Sequence, residues 1–455
     1  MDRYGTRMMN LNRRLLELAL PMVLANVSVA LLGMVDTAVV GHLPDARFLG
    51  GVALATIIFD FLFWGFGFLR MSTTGVVAQR HGSQDYQAVR DRVVQALGLA
   101  FVLALVVLAA SGPLLEAVLP RLEGSAAVKR EAARYYEVKI WGAIPLFLQY
   151  VLIGAFIGLQ NTRIPLVMAF CLNLINVSLD FIFVFGFGLG VVGVALGSVI
   201  AETITTCLGL ILLLRLVRSL PGAWRPHAVL DARSLIGQMG LNLTILLRTL
   251  CLIFTFAFFT NAGARLGDSV LAANAVLFNF LLLMALGLDG FAQAVEALVG
   301  RFYGVNDRES LKRVVGLGMR WSVGFAMVFV LIFWVLGPTI VHLMVDLPEV
   351  EMLALRYLPW LVFAPLVGVW PFLYDGVFVG ATRGRDMMWS MMVATFGVFL
   401  PAWYFTRGWG NHGLWFAMMG FLSARGALLA GVWHGFMRRQ RDGGQRDGRQ
   451  RGTAR

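Results

Sequence analysis

Twelve stretches of the chain are rich in Leu, Val, Phe, Ala and Ile and almost free of charge, at about residues 15–41, 49–78, 93–118, 135–160, 164–187, 190–214, 236–262, 269–299, 314–341, 356–380, 387–406 and 412–436. Each is long enough, at ~1.5 Å per residue, for a helix that crosses the ~30 Å hydrocarbon layer of a bilayer. The pattern predicts an all-α polytopic membrane protein with twelve transmembrane helices. The first stretch is too long for the apolar region of a secretory signal and is expected to be a membrane span.

The polar segments between the stretches set an orientation. With the amino terminus placed inside, inner segments carry 25 Lys and Arg residues and outer loops carry 8. That excess predicts both termini in the cytoplasm. The halves also repeat. A shift of 222 residues brings Gly82 onto Gly304, and Gly154, Phe156 and Gly158 onto Gly376, Phe378 and Gly380. Six spans per half leave the two copies in the same orientation, as parallel repeats about an axis along the membrane normal, an arrangement used by alternating-access carriers. The predicted organisation is an N-lobe over 1–214, an interlobe linker over 215–235, a C-lobe over 236–437 and a basic, disordered tail over 438–455.

Composition narrows the function classes. Of 455 residues 58% are hydrophobic and only 14% charged, which leaves too little polar surface to cover a soluble core. The net charge of +12 resides in inner segments and the tail and does not outline a nucleic-acid-binding module. Cys171, Cys207 and Cys251 all lie in apolar stretches, which argues against disulfides and zinc sites. The six His residues lie at span ends or in loops without a His-x-x-x-His pair, so the chain is not expected to be an enzyme.

Four segments carry a family likeness: Met34 to Leu43, Phe63 to Gly75 (Phe-Trp-Gly-Phe-Gly-Phe-Leu-Arg-Met-Ser-Thr-Thr-Gly), Leu288 to Ala292 and Asp375 to Ala381. Together they resemble signatures of the multidrug and toxic compound extrusion (MATE) family, in its DNA-damage-inducible F (DinF) branch, over essentially the whole chain except the tail. The resemblance implies a V-shaped pair of six-helix lobes. It also implies efflux of varied, often cationic or amphipathic compounds, driven by inward flow of H⁺ or Na⁺, in a bacterial inner membrane.

A carboxylate inside a span costs roughly 2.5–3.5 kcal/mol on insertion scales, so each acid there is a functional candidate. Asp36 lies ~8 Å and Asp180 ~10 Å from the outer ends of their spans, at similar depth. Asn173, Asn176 and Asp180 are spaced to share one helix face, and Ser198 reaches the same layer. One polar pocket built from spans 1, 5 and 6 would satisfy them all. The branch pattern, an Asp in helix 1 and an Asn with an Asp one turn later in helix 5, matches Asp36, Asn176 and Asp180. Under the repeat Asp36 falls near Thr255 and Asp180 near Leu400, so the C-lobe lacks both acids. Span 7 carries Arg248 where the other large MATE branch uses an acid.

Glu202 and Asp60 lie near the middle of their spans and are candidates for the cleft, Glu202 also for the N-lobe network. Arg70, Arg248, Asp289, Glu296 and Asp375 are expected to form inner-half charge pairs that hold or gate the lobes, Arg248 with either Asp289 or Asp375. Pro21 would weaken span 1 fifteen residues before Asp36. The 34 Phe, 12 Trp and 20 Met residues supply adaptable surface for flat cationic ligands, although most are expected to face lipid or neighbouring helices.

The expected cycle exchanges a proton for a cationic cargo at the Asp36 and Asp180 pocket, with no cofactor and no certain metal, and Na⁺ stays open as coupling ion. The partners expected are small-molecule substrates and the lipid bilayer, with no nucleic acid, and the chain is expected to act as a monomer. The alternatives are a lipid-linked precursor flippase, against which twelve spans and an acidic N-lobe argue, or an organic-anion exporter of the same superfamily. A major-facilitator carrier is disfavoured because residues 78–92 lack a Gly-x-x-x-Asp-Arg motif.

Overall fold

The structure is a computed structural model that describes all residues except 1, 44, 224–231, 346 and 453–455, together with the side chains of some helical residues, including 2–9 and 440–452. The centre of the expected interlobe linker, 224–231, therefore lies outside the described residues.

Every regular element among the described residues is helical. Twelve long helical segments follow the apolar stretches: α1 Asp2–Gly41, α2 Arg47–Gly82, α3 Tyr86–Arg121, α4 Ala126–Gly158, α5 Arg163–Gly186, α6 Gly190–Arg218, α7 Ala232–Ala264, α8 Asp268–Gly304, α9 Arg308–Val335, α10 Pro348–Gly380, α11 Gly384–Trp409 and α12 Asn411–Gly452. Eleven of them, α2 to α12, contain described windows long and apolar enough to cross a membrane. The helix of α1 runs through Pro21 without interruption. The helix of α12 is continuous to Gly452.

The repeat is visible at single residues. Gln84 and Asn306, 222 apart, both take a left-handed backbone, with φ of 59° and 54°. The next residues, Asp85 and Asp307, cap α3 and α9 by accepting from Ala88 N and Ser310 N at 3.1 and 3.0 Å. Gln160 and Thr382, also 222 apart, share φ values of 58° and 53° at the ends of α4 and α10. Within each lobe the second and fourth helices cross at glycine. A Cβ on Gly154 would overlap the Arg70 carbonyl, and one on Gly376 would overlap the carbonyl of Ala292, the equivalent of Arg70. Small residues of this kind let helix backbones touch where lipid offers no hydrophobic drive.

The lobes meet along a pseudo-symmetric seam in the half of the bundle where α1 starts. Gly82 packs on the Arg301 carbonyl, and Gly304 packs on that of Gln79, its symmetry counterpart. Gln79 donates to Gly380 O at 2.8 Å and to Thr382 Oγ1 at 3.1 Å, while Arg301 donates to Gln160 Oε1 at 3.2 Å. A buried apolar cluster crosses the seam, joining Leu15, Leu18 and Met22 of α1 to Phe291 and Val295 of α8. Asn26 Nδ2 donates to Leu286 O at 3.1 Å one turn further along α1. The N-lobe core is aromatic around Phe59, Phe63, Tyr136 and Phe147, and the C-lobe core around Phe259, Phe333, Phe399 and Trp415.

Candidate functional site

The acidic pocket forms inside the N-lobe from α1, α4, α5 and α6. Asp180 is the last α-helical residue of α5 before a π-helical stretch, Phe181–Gly186. Insertions of this type free a helix from its regular hydrogen-bond ladder and recur at functional positions. Asp180 is fully buried, and Asn176 and Ser198 are buried beside it. Room for the carboxylate comes from Gly197 of α6, where a Cβ would overlap Asp180 Oδ1.

Asp36 is half-buried near the far end of α1, and its carboxyl group faces that of Asp180. A carboxyl–carboxyl contact holds one proton between two oxygens, since two carboxylates have no donor to offer each other. The Asn176 amide completes the cluster. With its nitrogen toward the carboxyl it donates to Asp36 Oδ1 at 2.8 Å and accepts from Ser198 N at 3.3 Å and Ser198 Oγ at 3.2 Å. The structure thus brings together Asp36, Asn176, Asp180 and Ser198.

Asn173 departs from the expectation. Its Nδ2 donates to Ser28 O at 2.5 Å and Ser28 Oγ at 2.6 Å, so it ties α5 to α1 on the seam side of the acids. It shares a helix face with Asn176 and Asp180, but three residues are about 4.5 Å of rise. That is enough to give it a different neighbour on α1.

Glu202 joins the pocket through a residue that sequence reasoning left without a role. Lys139 Nζ lies 2.7 Å from Glu202 Oε1, with both side chains largely buried. Lys139 also acts electrostatically on Asp36 and Asp180. The Glu202 carbonyl accepts from Gln149 Nε2 at 2.9 Å and Thr206 Oγ1 at 2.7 Å, which holds this turn of α6 against α4. Tyr135, one turn before Lys139, is buried within electrostatic range of Asp36, Asp60, Asp180 and Glu202. The i, i+4 spacing of Tyr135 and Lys139 in span 4 was the available sequence signal. Asp60 itself is exposed on α2, within electrostatic range of Tyr135 and Tyr150.

The C-lobe is built differently. Thr395, the 222-shifted counterpart of Asn173, shares a 3.1 Å hydrogen bond with Thr255, which falls near Asp36 under the same repeat. Asn274, Asn411 and Trp415 close another neutral network at 2.8–2.9 Å. Charge appears nearer the seam. Arg248 pairs with Asp375, which resolves the two partners open to it in the sequence. Arg425 of α12 binds the same Asp375 oxygen and had not been assigned to the cluster. Asp289 lies in the electrostatic field of Arg70, Arg248, Asp375 and Arg425. Arg70 of α2 and Glu296 of α8 form an interlobe pair at 3.6 Å.

The fold is a double-lobed helical membrane bundle whose acidic pocket of Asp36, Asp180 and Glu202 lies in the N-lobe. The MatE family model matches the chain twice, over residues 21–182 and 244–405, and the chain belongs to that family of membrane transporters. DNA damage-inducible protein F of Escherichia coli is 40% identical over 430 residues, covering 93% of this chain and 92% of that protein. A probable multidrug resistance protein NorM of Thermotoga maritima is 24% identical over 454 residues, 93% of each chain. The bent form of the MATE transporter VcmN of Vibrio cholerae is similar with a TM-score of 0.84 over 95% of this chain and 98% of that one. A multidrug resistance MATE transporter in an outward-facing conformation also gives 0.84. Both structures are 18% identical in sequence and bear on the fold alone. The twelve helices in two six-helix lobes are those of this family.

Proposed function

We propose that the chain is a secondary active antiporter that exports varied cationic or amphipathic small molecules in exchange for H⁺ by alternating access. The observation that carries this reading is the pair of facing carboxyl groups, Asp36 and Asp180, held with Asn176 inside a buried N-lobe pocket. Such a pair gains or loses one proton without unfolding anything around it. A deprotonated pair attracts a cation entering the cleft, and a protonated pair lets it go. Each proton moving inward carries about 2.3 kcal/mol per 100 mV of membrane potential, which suffices to drive export if proton and cargo exclude one another.

The distribution of Lys and Arg supports cytoplasmic termini. In that orientation the glycine seam lies on the cytoplasmic side and the acidic pocket lies in the outer half. This arrangement suits the step in which the outward-facing carrier takes a proton and releases cargo. The multidrug resistance names of relatives support a broad substrate range. A multi-pass protein of a bacterial inner membrane, acting as a monomer, fits the same reading.

The test is the variant Asp36→Asn in inverted membrane vesicles with an imposed pH gradient and a fluorescent cationic dye. Transport should fall to background while the protein still inserts and accumulates. Undiminished dye movement would remove Asp36 from the mechanism.

A further inference from the structure

The N-lobe pocket contains a cation of its own. Four helices contribute its buried charges: Asp36 from α1, Lys139 from α4, Asp180 from α5 and Glu202 from α6, with Tyr135 of α4 beside them and Asp60 exposed on α2. With one proton between Asp36 and Asp180, and Lys139 paired to Glu202, the buried set carries one net negative charge. That leaves place for one more monovalent charge and no more.

Two carboxylate oxygens in this set have no hydrogen-bond partner, Asp180 Oδ1 and Glu202 Oε2. Each faces a glycine, Gly197 and Gly142, where a Cβ would overlap the oxygen. Carboxylate oxygens of this kind are ligands that a hard cation takes. The ammonium of Lys139, a compact charge on a flexible stem, stands beside them at 2.7 Å from Glu202 Oε1.

We propose that Lys139 is the residue that makes this pocket accept protons and refuse Na⁺. A proton enters by forming an O–H bond on one carboxylate and needs no vacant coordination shell. A sodium ion needs several oxygens at once, and Lys139 both occupies Glu202 and repels a second cation brought to the neighbouring carboxyl groups. The tethered ammonium thus supplies the positive charge that Glu202 would otherwise have to take from a free cation. This deepens the proton-antiport reading of the same pocket and rests on it.

The experiment uses the full-length purified transporter in proteoliposomes, as wild type, Lys139→Gln and Lys139→Arg. Dye movement is driven either by a pH gradient or by a Na⁺ gradient at constant pH. Thermal stability is read in NaCl against choline chloride at equal ionic strength. Wild type and Lys139→Arg should respond to the pH gradient alone and show no Na⁺-specific stabilisation. Lys139→Gln should gain Na⁺-driven transport by about tenfold or more, because the repulsion between neighbouring unit charges is gone, and should melt higher in NaCl. Lys139→Met, which keeps the length of the stem, carries the test if Lys139→Gln does not fold. A folded, neutral variant at 139 that stays indifferent to Na⁺ overturns the proposal. Na⁺-driven transport by wild type overturns it as well. Loss of pH-gradient transport in no variant, Asp36→Asn included, would instead strike the proton reading on which it rests.

Discussion

The two lobes are the same scaffold carrying different chemistry. The crossings of Gly154 on Arg70 and Gly376 on Ala292, the left-handed turns at Gln84 and Asn306, and the caps at Asp85 and Asp307 are matched residue for residue. The polar layers are not matched. One lobe holds Asp36, Asp180 and Glu202 around Lys139, whereas the other has the Thr255–Thr395 hydrogen bond and keeps its charges in the Arg248–Asp375–Arg425 cluster. Backbone crossings leave little freedom, because a methyl group at either glycine has nowhere to go. A side chain that reaches into a polar cavity is under no such constraint, and the copies have diverged there. Buried carboxylate oxygens without a hydrogen-bond partner occur in the N-lobe at Asp180 and Glu202, and in the C-lobe at Glu296, which pairs across the seam with Arg70. In the C-lobe the Asp375 carboxylate is already claimed by two guanidinium groups.

The sharpest break of the comparison is functional. Asp36→Asn or Asp180→Asn should abolish pH-driven dye export in vesicles, while Thr255→Val, at the matching level of the C-lobe, should leave the rate within about twofold, as expected for loss of one neutral hydrogen bond of about 1 kcal/mol. Comparable losses from both lobes would show that the asymmetry of charge is not an asymmetry of role.

Stability separates the charged clusters next. Asp375→Ala leaves Arg248 and Arg425 buried without their shared partner, and removing one member of a buried ion cluster costs about 3–5 kcal/mol. The purified variant should melt many degrees below wild type, and Asp375→Ala combined with Arg425→Met should recover part of the loss. A single variant as stable as wild type would mean that the cluster is not held as described.

Smaller and equal effects are expected from the scaffold. Gly154→Ala and Gly376→Ala each force a methyl group against a carbonyl in a helix crossing, an overpacking that costs about 1–3 kcal/mol. Melting curves of the two variants should shift by similar amounts. A shift confined to one lobe would break the structural equivalence of the repeats. The smallest effect belongs to Asn173. With its side chain on Ser28 and off the acids, Asn173→Ala should lower stability by about 1 kcal/mol with little change in the pH dependence of transport. A displaced pH profile would return Asn173 to the coupling network.

Much of this protein is legible in its sequence, and the parts that are not share a cause. The twelve spans follow from apolar runs of sufficient length, because a bilayer leaves a backbone no alternative to the helix. The repeat follows from glycines and capping acids, whose positions backbone geometry dictates. Asp36, Asn176, Asp180 and Ser198 were recoverable because depth can be read from the rise of a helix and faces from its period. Those two coordinates do not say how each helix is rotated toward its neighbours, nor where a long side chain ends. Lys139 reaches Glu202 from another helix, Arg425 arrives at Asp375 beside Arg248, and Asn173 finds Ser28 because of rotations and stem lengths settled only when the helices pack. The chain by itself determined the number of helices, their pairing by repeat and the depth of its acids. The tertiary structure alone decided which charges neutralise which, since that depends on azimuth and reach between distant segments, 50 residues apart for Arg425 and Asp375, 63 for Lys139 and Glu202 and 127 for Arg248 and Asp375.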